Sequence, residues 1–138
     1  MSKLFNLKLI TPEETLYDGQ ATEVILPTKM GQIGVLADHE PLVAILVPGE
    51  IRIKTEKEEF SLASLGGYVE IKPGQVQVLS DSAVRSEKID EIAAAEARKK
   101  AEQVLAQSQS DIEIAEASAA LEKALLHIKI ANRKKRHH

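Results

Sequence analysis

Pro73-Gly74-Gln75-Val76-Gln77-Val78-Leu79-Ser80 is the last stretch of the chain to contain a proline or a glycine. All five prolines and all seven glycines lie at or before Gly74, and none follows as far as His138. Both residues punctuate the backbone, so a change this abrupt marks a change of architecture. It predicts a β-domain over residues 1–85 and a helical domain over 86–138, with the boundary near Arg85-Ser86-Glu87.

Working back from that stretch, Val76 and Val78 alternate with Gln75 and Gln77, as in a half-buried strand. Phe5, Leu7 and Leu9 alternate with Asn6 and Lys8; Ile51 and Ile53 alternate with Arg52 and Lys54 after the Pro48-Gly49 turn. Phe60, Leu62 and Ser64 repeat the pattern up to Gly66-Gly67. Val24-Ile25-Leu26 stops at Pro27, and Ile33-Gly34-Val35-Leu36 stops at Ala37-Asp38-His39. Short runs at this spacing predict a β-sandwich or flattened barrel of about nine to ten strands.

Working forward, the period changes. Ile89, Ile92, Ala93, Ala97, Ala101, Val104 and Leu105 step by threes and fours. Ile114, Ala117, Leu121, Ala124, Leu125, Ile128 and Ala131 do the same. Each set predicts one apolar helical stripe. The polar link Gln107-Ser108-Gln109-Ser110 predicts an antiparallel two-helix hairpin, with Ser110 and Glu113 spaced as a capping box. Each helix would run roughly 18–22 residues, about 30 Å. The fold class is therefore α+β, β then α. Alanine dominates the stripes and buries far less apolar surface than Leu or Ile, worth about 1.5–3 kcal/mol each. A hairpin closed by alanine is weakly held, and weakly held elements are the ones recruited as moving parts.

Composition narrows function. Without cysteine there is no disulfide or thiolate metal site, and the four histidines show no zinc-type spacing. A net charge of -3 and 3% aromatic residues argue against nucleic-acid binding. The N-terminus carries no apolar signal run, and no segment reaches the roughly 18 apolar residues of a membrane span. A cytoplasmic-side protein that meets a membrane only through a partner is expected. Gly31-Gln32-Ile33-Gly34 lacks the lysine and helix of a phosphate loop and reads as strand or turn glycines. His39 between Asp38 and Glu40 has no nucleophile beside it, and Glu13-Glu14 and Glu58-Glu59 read as solvated turns. No enzyme is expected. Arg133-Lys134-Lys135-Arg136-His137-His138 is either a solvated tail complementing a helix C-terminus or a dock for an acidic surface.

Gly31-Gln32-Ile33-Gly34-Val35-Leu36, His39-Glu40-Pro41-Leu42, Pro48-Gly49-Glu50-Ile51-Arg52-Ile53, Gly66-Gly67-Tyr68-Val69-Glu70-Ile71 and Val76–Ala83 are joined by Ile89-Asp90-Glu91 and Ala115–Leu121. In this order they resemble the epsilon-subunit family of the rotary proton-translocating ATP synthases, bacterial members above all. The resemblance covers essentially the whole chain, and its helical half is most similar to proteobacterial members. It implies a non-catalytic stalk subunit at the cytoplasmic face of a bacterial inner membrane rather than a thylakoid. The sandwich would bind the gamma subunit and the rotor ring and couple proton-driven rotation to ATP synthesis. The hairpin would extend to inhibit ATP hydrolysis at the catalytic beta subunits. Gln32 would face the rotor ring, His39 would lie near gamma, and the basic run Arg133, Lys134, Lys135 and Arg136 would meet an acidic segment. The family's nucleotide motif wants arginine where this chain has Ala93 in Ile89-Asp90-Glu91-Ile92-Ala93-Ala94. Alanine has no phosphate-binding fork, so ATP binding should be weak or absent and no cofactor is expected. Two competing readings are a lipoyl- or biotinyl-type carrier using Lys29 in Thr28-Lys29-Met30, and a coiled-coil adaptor using residues 87–133 alone.

Overall fold

The computed structural model describes residues 3–136, and the side chains of residues 3–133. The chain divides into two compact units, Met1–Arg85 and Ser86–His138.

Ten strands form the first unit: β1 (Phe5–Ile10), β2 (Thr15–Ala21), β3 (Glu23–Thr28), β4 (Gly31–Val35), β5 (Leu42–Leu46), β6 (Gly49–Lys54), β7 (Glu59–Ser64), β8 (Gly67–Lys72), β9 (Gln75–Ser80) and β10 (Ala83–Arg85). They make one curled sheet in the order β10-β7-β6-β3-β5-β8-β9-β1-β2, with β4 folded onto β3. Every pairing is antiparallel except that of β1 with β9. The curl turns on β3. Its first half, Glu23 to Ile25, pairs with β6, while Thr28 pairs with Leu46 of β5. One strand therefore belongs to both layers, and the layers close on a shared core.

That core is the inward half of each alternating run. Leu7, Leu9, Leu26, Ile51, Ile53, Leu62, Val69 and Val78 are all fully buried. Pro27 does not end its strand as the sequence suggested. It lies inside β3, where its missing N–H leaves no unpaired donor and its carbonyl accepts from Val47 N at 3.0 Å. Leu36 falls just beyond β4 and is exposed. The turn between β7 and β8 holds a buried hydroxyl pair. Ser64 Oγ and Ser80 Oγ stand 2.7 Å apart, and Ser64 Oγ accepts from Gly66 N at 3.2 Å. No buried side-chain polar atom among the described residues lacks a partner.

In the second unit a short 3-10 turn at Ser86–Lys88 leads to α1 (Glu91–Gln107) and α2 (Asp111–Arg136). The helices are unequal, 17 and 26 residues, because nothing in the second sequence breaks a helix before Arg136. Ala94, Ala101, Ala117 and Ala124 are buried. Ala101 and Ala117 lie equally far from Gln109 along the chain, as do Ala94 and Ala124. The seam of an antiparallel pair thus has alanine at matching heights. The expected stripe on α1 is partly displaced: Ile92, Ala93 and Ala97 are exposed, and Ala94 takes the inward place. The capping box at α2 is also rearranged. Ser110 Oγ accepts from Glu113 N at 3.4 Å, but the Glu113 carboxylate takes the Ser108 hydroxyl at 2.6 Å, and Ser108 Oγ accepts from Ser110 N at 3.2 Å. Ser108 has replaced the carboxylate as partner of the cap's own N–H.

Candidate partner-binding surfaces

Strand register puts one apolar row on the outer face of the second layer. Ile45 of β5 pairs with Tyr68 of β8, Tyr68 with Leu79 of β9, and Leu79 with Ile10 of β1. Ile45 is 55% exposed and Tyr68 45%; Leu79 and Ile10 are half-buried. Beside Tyr68 a hollow of about 310 Å³ is lined by Ile10, Thr11, Pro12, Leu79, Ser80 and Asp81. The row two residues along is polar: Glu70, Gln77 and Lys8 stand in register with Val43. Val43, 68% exposed, continues the apolar surface along β5 instead. An antiparallel sheet with one wet face should be polar at all of these positions. A contiguous apolar strip of this kind is characteristic of an interaction surface.

The sequence contained this signal. Leu42 to Val47 is apolar at every position, and alternate side chains of a strand point to opposite faces. Ala44 and Leu46 fill the core, so Val43 and Ile45 must face outward.

The β3–β4 turn stands at the Leu46 end of β5, where Lys29 N donates to Ile45 O at 2.9 Å. Thr28 Oγ1 shapes this turn, donating to Gly31 O at 2.6 Å and accepting from Met30 N at 3.2 Å. Gln32 is exposed on β4 beside it, opposite Pro27. His39 lies at the other end of β4, in the loop that enters β5, so the two sites are not brought together. His39 Nδ1 is 2.7 Å from Glu40 O. A carbonyl can only accept, so in this contact Nδ1 is the donor. The same loop is tethered by an exposed ion pair, Lys3 Nζ to Asp38 Oδ1 at 3.3 Å.

Of the degenerate nucleotide motif, Asp90 is the N-cap of α1, accepting from Ile92 N at 3.0 Å and Ala93 N at 3.1 Å. Ile89 is half-buried and Ala93 exposed. A groove of about 420 Å³ runs between the helices, lined by Glu91, Ala95, Arg98, Lys99, Glu102, Ile128 and Asn132. Its cations are balanced by carboxylates, and Arg98 Nε donates to Glu102 Oε1 at 2.7 Å. The basic run is helical rather than a loose tail: Arg133 to Arg136 form the last turn of α2. Arg133 is half-buried. The side chains of Lys134, Lys135 and Arg136 lie outside the described residues, as do His137 and His138. No helix among the described residues is long and apolar enough to cross a membrane.

Residues 4–86 match the family model for the ATP synthase delta/epsilon chain β-sandwich domain, and residues 87–132 the model for its long α-helix domain. The chain is 36% identical to the ATP synthase epsilon chain of Thioalkalivibrio sulfidiphilus over 99% of both proteins. It is 40% identical to the epsilon chain 2 of Ralstonia nicotianae over 96% of both. Among solved structures it is similar to a chain of the Euglena gracilis mitochondrial ATP synthase OSCP/F1/c-ring assembly, with TM-score 0.74 and 25% identity, covering 96% of this chain and 80% of that one. A chain of the Tetrahymena thermophila mitochondrial central stalk and c-ring shares the fold, with TM-score 0.63 and 13% identity over 94% and 98%. The carrier reading finds no support, although Lys29 does sit exposed on a hairpin turn. Matched in both units, and over nearly its whole length by bacterial relatives, this chain belongs to the ATP synthase delta/epsilon chain family.

Proposed function

We propose that this protein is the non-catalytic epsilon subunit of the central stalk of a proton-translocating ATP synthase, at the cytoplasmic face of a bacterial inner membrane. The observation that carries the attachment role is the apolar row Ile45-Tyr68-Leu79-Ile10 on a sandwich whose core is already closed. A stalk subunit must grip a partner firmly enough to turn with it, and buried apolar contact supplies that grip without regard to direction. Gamma is the partner for this row. Lying along β5, it would touch Ile45, Val43 and, at the strand's entry, His39. The β3–β4 turn with Gln32 is left for the rotor ring.

The helical unit is the regulatory part. An alanine seam leaves it easy to open, and the basic last turn of α2 suits an acidic segment of the catalytic beta subunits. ATP does not hold it closed in this protein, because Ala93 offers nothing to a phosphate and the groove's Arg98 is already paired with Glu102. Calorimetry on the isolated chain should detect no micromolar ATP affinity, and a clear exotherm at that level would refute this part.

The test of the whole reading is reconstitution with an ATPase head lacking its own epsilon. The full chain should bind and lower ATP hydrolysis. A chain ending at Arg85 should bind equally well and leave hydrolysis unchanged. Equal inhibition by the two would remove the hairpin's role, and failure of both to bind would remove the attachment role.

A further inference from the structure

β10 is the last strand of the sandwich before the helical unit, and by itself it is a poor anchor. It has three residues and one neighbour, pairing Ala83, Val84 and Arg85 with Ser64, Ala63 and Leu62 of β7. Strand ends of this kind open far below the global stability of a domain. Its start is nevertheless secured. Leu65 N donates to Ser82 O at 3.0 Å, and Ser80 Oγ donates to the same carbonyl at 3.0 Å. Its far end is secured by a side chain. The Arg85 guanidinium lies 4.1 Å above the ring of Phe60, well inside cation–π range. Phe60 packs against the core and meets Tyr17 at 5.6 Å between centroids, tilted by 51°. Tyr17 is itself fixed by its hydroxyl, which donates to Gln20 O. The stack therefore ties the last residue of β10 across β7 to the edge strand β2.

We infer that Arg85 is a latch: its stacking on Phe60 keeps β10 on the sandwich when the helical unit moves, and so sets the pivot at Ser86 rather than at the β9–β10 turn. Without the latch, a pull on the hairpin would peel β10 first and lengthen the tether by three residues. That would widen the arc the basic turn of α2 can sweep. The inference rests on the reading of the helical unit as a moving part, but its test separates the two.

The measurement is residue-resolved amide exchange on the full chain, comparing the parent with Arg85→Gln, Phe60→Leu and the double variant. Phe60→Leu keeps an apolar side chain in the core and removes the ring face; Arg85→Gln leaves the core untouched. Both single variants should speed exchange of the protected β10 amides by about two- to fivefold, the range of a partly exposed cation–π contact. The amides of Val69 and Val78 should not change. At β10, relative to Val69 and Val78, Arg85→Gln should accelerate exchange less in the Phe60→Leu background than in the parent, because the two changes remove one shared contact. Unchanged β10 amides in Arg85→Gln, or equal acceleration at β8 and β9, would overturn the latch. Slow exchange at residues 86–89 of the parent, matching Val69, would instead refute the moving hairpin and leave the β10 comparison as the judge of the latch.

Discussion

Gly67 and Gly74 both have positive φ, +138° and +73°, yet they differ in what surrounds them. A Cβ on Gly74 would meet nothing, whereas a Cβ on Gly67 would run into the carbonyl oxygen of Leu79 across the β8–β9 pair. Gly74→Ala should therefore cost only its conformational strain, about 1–2 kcal/mol. Gly67→Ala adds to a similar strain of about 1–3 kcal/mol the displacement of a paired backbone. Thermal unfolding should show the Gly67 variant clearly below the Gly74 variant, and equal midpoints would mean that the β8–β9 ladder yields freely. The sequence marked both glycines as turn residues but not this difference, because only strand register brings Leu79 beneath Gly67. Asp90 shows the same gap. The sequence identified it as part of a nucleotide motif, and the structure gives it a sufficient local task as helix cap.

At the scale of elements, the change from period two to period three-and-a-half was readable, and so was the β-then-α fold class. The face of α1 was not. Ala93, Ala94, Ala95 and Ala97 surround the helix with methyl groups, so hydrophobicity alone cannot choose which of them turns inward. Geometry chooses instead, by setting Ala94 and Ala101 level with Ala124 and Ala117. Beyond Val43 and Ile45, the rest of the apolar row was hidden for a different reason: the row takes one residue from each of four strands that are scattered along the chain. If gamma covers it, Ile45→Glu should weaken binding to the gamma-containing head by at least tenfold, since it buries an unpaired charge. The sandwich should keep its melting temperature, because Ile45 faces outward. Binding titrations and unfolding of the same variant check both halves, and unchanged affinity would place gamma elsewhere.

For the whole molecule, the two units rest on different physics, and the chain carries its own reporters for them. The sandwich buries Leu, Ile and Val side chains at about 1.5–3 kcal/mol each, whereas the helical seam is largely alanine. Both tyrosines and both phenylalanines belong to the sandwich, so aromatic signals follow it alone, while the helical circular-dichroism band follows α1 and α2. In urea the helical signal should fall first and the tyrosine signal later. The helical transition should also be acid-sensitive. Burial first, and Lys123 second, hold the His127 pKa below its ordinary value. The folded helix thus resists a proton that the unfolded chain accepts from about pH 6.5 downward. Stability from this source is complete above that pH and is lost as pH falls through the lowered folded value. His127→Gln should remove that part of the acid response. A single coincident transition at neutral pH would mean that the two units unfold as one, and a hairpin so tightly coupled to the sandwich could not serve as a separately moving arm.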